Sequence, residues 1–118
     1  MGILITVAEI NKLLKLFEVF RHLDVEMPIG QLVFFLTAAK LEGASMREIA
    51  DASGTKTSTA SRYLANLEAK DQFRQSGLNL LHSYDNPANR RCKVIQLTQE
   101  GKKLLRTIID FRKEVSDE

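Results

Sequence analysis

Gly54 separates two helix-length segments that are each too short to stand alone, and this constrains the fold more than anything else in the 118 residues. Residues 45–52 open with Ser45, a good helix cap, and carry Glu48 three positions later, a capping-box spacing. Ile49 and Ala50 form the apolar side of that segment. A second segment starts at Lys56 or Thr57 and runs to about Lys70, with Ala60, Leu64 and Leu67 on one face. Helices this short are marginal in water by themselves. They persist only when packed against each other and a common core, and the glycine allows the tight turn that such packing requires.

The surrounding pattern supplies that core. Residues 6–23 read as an amphipathic helix, with Ile10, Leu13, Leu14, Phe17 and Phe20 at helical spacing and Thr6 and Glu9 as its capping pair. Pro28 suits a first helical turn. Residues 31–41 then carry Leu32, Val33, Phe35, Leu36 and Ala39 before Gly43 ends the helix. A helix this apolar is expected at the centre of the core. Residues 78–84 and 92–97 read as strands, and the Asp-Asn-Pro-Ala-Asn run at 85–89 is turn chemistry, so the pair should form a hairpin. Thr98 caps a last helix to about 114, with Leu104, Leu105, Ile108 and Phe111 as its apolar stripe. The expected fold class is therefore mainly α with a β-hairpin wing (α+β), a winged helix-turn-helix. One domain is expected over residues 1–118, with terminal helices at about 6–23 and 98–114 available for pairing.

The second short segment has an outward face of chemical interest. Thr57, Ser58, Ser61, Arg62 and Asn66 fall opposite its apolar residues, and Lys56 precedes it. Short hydroxyl, amide and guanidinium groups on a helix's N-terminal half suit major-groove base edges, and the helix start attracts phosphate. The hairpin adds Arg90, Arg91 and Lys93. Residues 85–103 hold five basic residues against two acidic ones, although the whole chain is only +2. Such a local patch suits a phosphate backbone. Lys56, Thr57, Ser58, Ser61, Arg62, Asn66, Arg90, Arg91 and Lys93 are thus the expected DNA-binding residues.

Other chemistries find little support. His22 and His82 stand apart without metal-ligand spacing, so no metal site is expected. No catalytic set or phosphate-loop glycine pattern appears, so neither enzymatic activity nor a cofactor is expected. The single cysteine, Cys92, reads as a half-buried strand residue and cannot form an internal disulfide. The longest apolar run, at 29–39, is interrupted by Gln31 and falls short of a membrane span, and the first residues lack a signal-peptide pattern. A cytoplasmic location is expected.

Three stretches together resemble the MarR regulators, over about residues 31–105. They are Ser45-Met46-Arg47-Glu48-Ile49-Ala50 with Ser58-Thr59-Ala60-Ser61-Arg62 and Leu67-Glu68; the Arg90-Arg91 pair; and Leu97-Thr98-Gln99-Glu100-Gly101. The resemblance is to a small, truncated member. It implies a dimeric transcription factor whose recognition helices enter successive major grooves while wing arginines enter minor grooves. Thr57, Ser58, Ser61 and Arg62 would match recognition positions, and Arg90 and Arg91 the wing. The expectation is a double-stranded DNA-binding regulator, a homodimeric repressor without membrane association. The alternatives are a winged-helix protein-interaction module or a DNA-binding part of a replication or recombination system.

Overall fold

The computed structural model describes residues 4–68 and 77–116, with the side chains at 89–92 and from 111 onward outside that description. Among the described residues five helices and two strands follow one another: α1 (Val7–Leu23), α2 (Ile29–Lys40), α3 (Met46–Ser53), α4 (Thr57–Leu67), β1 (Leu81–Asn86), β2 (Asn89–Leu97) and α5 (Gln99–Ser116). The chain divides into two compact units, one of residues 1–27 with 104–118 and the other of residues 28–103.

In the terminal unit, Thr6 caps α1 by accepting the Glu9 amide at 3.1 Å, as its sequence predicts. The apolar stripe behaves differently from expectation. Phe20 is buried, yet Ile10, Leu13, Leu14 and Phe17 remain 47%, 57%, 55% and 51% exposed. Within α5 the same unit buries Leu104 and leaves Ile109 exposed. Spacing reports which residues share a face, not whether one chain has enough surface to cover that face.

The larger unit is built around α2. Phe34, Phe35 and Ala38 of α2, Ile49 and Ala50 of α3, Ala60, Leu64 and Leu67 of α4, and Leu80, Leu81 and Ile95 around the hairpin form its core. Each large side chain withdrawn from water contributes about 1.5–3 kcal/mol. Val33 and Leu36, expected in the core, are instead exposed, and Gln31 is fully buried. α2 is apolar nearly all round, so its sequence carries no phase; packing against α3 and α4 chooses the face.

The hairpin pairs Leu81 with Leu97, Ser83 with Ile95 and Asp85 with Lys93. It differs from the expected strands at both ends. β1 begins at Leu81 rather than 78 because the preceding amides serve another element. Leu78 N donates to Asn66 O, Asn79 N to Glu68 O and Leu80 N to Leu67 O, at 2.8–3.1 Å. These bonds satisfy carbonyls left open at the end of α4, and Asn79 takes a left-handed φ of 57° to make them. β2 begins early, at Asn89, so the turn narrows to Pro87 and Ala88. There the Asn86 side-chain oxygen accepts the Ala88 amide at 2.9 Å. A third short strand-like segment joins β2 on its other edge. Gly43 N donates to Ile95 O, Ile95 N donates to Ala44 O, and Ser45 bridges Val94. So short a segment has no periodicity to reveal it.

Candidate nucleic-acid interface

The local sequence builds a tight helical corner. At the start of α3, Ser45 Oγ accepts the Glu48 amide at 3.1 Å and Glu48 Oε1 accepts the Ser45 amide at 3.2 Å, completing the expected capping box. Gly54 ends α3 with φ 69°, a conformation costly for any residue with a Cβ. Thr55 N donates back to Ala50 O at 2.8 Å, and the Ser53 and Thr55 hydroxyls stand 2.8 Å apart. The chain thereby turns directly into α4.

α4 presents two chemically different sides. Ala60, Leu64 and Leu67 are buried, as expected, while Lys56, Thr57, Ser58, Ser61 and Arg62 are exposed. Lys56 makes no side-chain cap, so the amides of the first turn have no side-chain acceptor. An exposed helix start with hydroxyls at its first two positions and a guanidinium one turn on can hold a phosphate and present donors to base edges. Ser61 Oγ also reaches Met46 Sδ at 4.0 Å, which ties this face of α4 to α3. Arg47 on α3 is another exposed cation.

Asn66 departs from the outward set. Its residue surface is exposed, but its Nδ2 donates to Oε1 of the buried Gln31 at 3.0 Å. On the hairpin, Lys93 is exposed and stands opposite Asp85. Arg90 and Arg91 belong to β2 by their backbone, and their side chains lie outside the described residues, as does that of Cys92. Lys70, the expected end of the recognition helix, also lies outside them; α4 ends at Leu67.

Two acids, neither among the expected DNA-binding residues, brace the hairpin. Glu68, just after α4, accepts both the amide and the hydroxyl of Ser83 through Oε2, at 3.2 and 2.9 Å. Glu42 Oε2 accepts the Leu97 amide at 3.0 Å. At the same open end of the hairpin as Leu97, Thr98 Oγ1 donates to Asn79 O at 2.6 Å and accepts the Gly101 amide at 2.9 Å. Glu68 stands in the Leu67-Glu68 pair noted above, but its bracing role, like that of Glu42, acts on a partner distant in sequence and so leaves no local signal. Among the described residues no cluster of His, Cys, Asp or Glu could hold a metal ion. No described helix is long and apolar enough to cross a membrane.

Two short helices joined at a glycine corner, with a hairpin packed beside them, define a winged helix-turn-helix. The particular version is the MarR-type fold, as solved structures show. Against MarR the TM-score is 0.64 at 20% identity, over 85% of this chain and 66% of that one. Against the S. aureus MepR–DNA complex it is 0.65 at 24% identity, over 84% of this chain and 73% of that one. Against the transcriptional regulator SlyA it is 0.63 at 20% identity, over 93% of this chain and 70% of that one. The chain thus spans about two thirds of the length of MarR. No protein-family model matches the sequence, and no curated protein matches it.

Proposed function

We propose that this chain is a sequence-specific double-stranded DNA-binding transcriptional regulator that acts as a dimeric repressor and catalyses no reaction. One observation carries the reading: the exposed Thr57, Ser58, Ser61 and Arg62 face of α4, placed at the open start of the second helix of a helix-turn-helix. That face carries Lys56, two serines and no aromatic side chain, whereas the centre of a protein-docking surface is enriched in aromatic residues and depleted in Lys and Ser. In this reading α4 lies in the major groove. Arg62 donates to a base edge, Lys56 and the first-turn amides hold phosphate, and the wing cations Arg90, Arg91 and Lys93 meet the flanking backbone or minor groove. The likeness to a MepR structure solved with DNA supports the same use of this fold.

A single such helix reads too few base pairs for high specificity, and pairing two copies is the usual remedy. Ile10, Leu13, Leu14 and Phe17 leave a helical stripe about half exposed, apolar surface of the kind that a partner buries. A second copy covering that stripe would bring two α4 helices into one assembly, and half-sites about one helical turn apart are the usual spacing for dimeric helix-turn-helix proteins. Occupancy of a promoter by such a dimer excludes other proteins from it.

The test is fluorescence anisotropy on duplexes enriched by the protein from a randomised pool, run across a salt series. Affinity should fall with salt at a logarithmic slope of about −0.9 per neutralised phosphate. Absence of duplex binding at roughly 50 mM salt, where phosphate attraction is strong, refutes the proposal.

A further inference from the structure

Gln31 is the one fully buried polar side chain among the described residues, and it faces the helix that carries the DNA-reading surface. Its Oε1 accepts Nδ2 of Asn66 at 3.0 Å, and its Nε2 has no partner among the described residues. A buried amide whose NH2 donors are both unused is costly, and an apolar side chain of the same length in its place is ordinarily neutral or stabilising. Stability therefore does not account for a glutamine here.

Geometry supplies another account. α4 approaches α2 through Tyr63 and Asn66: the Tyr63 ring lies 6.2 Å from Phe34, a Cβ on Gly30 would stand 2.5 Å from the Tyr63 hydroxyl, and Asn66 is bonded to Gln31. The first two are steric contacts, and the buried Ala60, Leu64 and Leu67 side chains have no polar atom with which to make a directional bond. The Gln31–Asn66 bond is directional. Asn66 lies one turn beyond Arg62, so fixing its azimuth fixes that of Arg62. A side-chain tip about 6 Å from the helix axis moves about 2 Å for a roll of about 20°. That shift exceeds the distance tolerance of a hydrogen bond.

We propose that Gln31 is a positioning residue for base reading, holding Asn66 so that the Arg62 face of α4 meets the groove at one fixed angle; Asn66 serves as its partner and is not itself a base contact. This role rests on the DNA-reading function proposed above and assigns its angular control to the junction of α2 and α4.

The test uses the full chain, one duplex enriched from a randomised pool, and the unselected pool as reference. Gln31→Met keeps length and volume but removes the amide. Asn66→Ala removes the other partner at a position exposed enough to leave the fold intact. Each should lower discrimination between the two duplex sets about tenfold, the worth of one good base contact, without weakening binding to the unselected pool. Thermal stability of Gln31→Met should be unchanged or higher. The double variant should lose no more than either single one, because both act through one bond. Three results overturn the role. In the first, Asn66→Ala loses discrimination while Gln31→Met keeps it, which makes Asn66 a base contact. In the second, both variants weaken enriched and unselected duplexes equally with a drop in melting temperature, which makes the bond merely structural. In the third, neither changes discrimination. A wild-type chain that enriches no duplex refutes DNA reading itself, and the positioning role with it.

Discussion

Gly101→Ala sets two physical effects of opposite sign against each other. Gly101 sits in the first turn of α5, where alanine would favour the helix by about 1 kcal/mol. It is also buried, and a Cβ there would press into the Leu80 carbonyl oxygen, 3.1 Å from its carbon and 3.2 Å from Leu97 Cδ2. The Leu80 carbonyl cannot easily retreat. It accepts the Thr98 amide at 3.1 Å, Leu80 N donates to Leu67 O at 2.8 Å, and the Leu80 side chain is buried. Relief requires losing the Thr98 bond, at about 1–3 kcal/mol, and overpacking the corner, at a further 1–3 kcal/mol or so. Subtracting the helix gain leaves a net destabilisation of about 3 kcal/mol. For a chain of this size that lowers the melting temperature by roughly 10 °C. Thermal unfolding followed by circular dichroism measures it, with Lys102→Ala at the exposed neighbouring position as control; that substitution should shift stability by no more than about 0.5 kcal/mol. An unchanged or raised melting temperature for Gly101→Ala would show that the corner yields and that the close approach does not constrain the sequence.

Three further outcomes are expected. Arg62→Ala should cost about 1–3 kcal/mol on an enriched duplex and much less on random DNA, measured by competition anisotropy; equal losses on both would make it a backbone contact. Ser45→Ala removes the α3 cap and should lower unfolding free energy by about 0.5–2 kcal/mol in urea titration, with the Glu48 amide left unpaired. Phe17→Glu, on the exposed stripe of α1, should leave the fold intact while converting a dimer to a monomer in sedimentation and weakening duplex binding. Phe20→Glu is not an equivalent probe, because Phe20 is buried and its loss would unfold the unit. A mass unchanged between wild type and Phe17→Glu would remove α1 from the dimer interface.

The elements were legible in the sequence wherever the signal is local. Thr6, Ser45 and Thr98 each cap a helix through an amide three residues on, and Gly54 takes the left-handed turn that only its missing Cβ makes easy. The buried face of α4 was legible too, because Ala60, Leu64 and Leu67 alternate with polar residues and so carry a phase. Tertiary structure decided whatever depends on partners distant in the chain. α2 has apolar residues on every side, so only packing could expose Val33 and Leu36 and bury Gln31. Residues 78–80 looked like strand by composition, yet their amides were drawn to the open carbonyls ending α4, a stronger demand than extending a two-stranded ladder. Asn66 looked like a member of the outward set by spacing, and its side chain nonetheless turns to Gln31, 35 residues away. Periodicity reports the direction of a side chain from its own helix axis; the hydrogen-bond partner waiting there is set by whichever element the fold brings alongside.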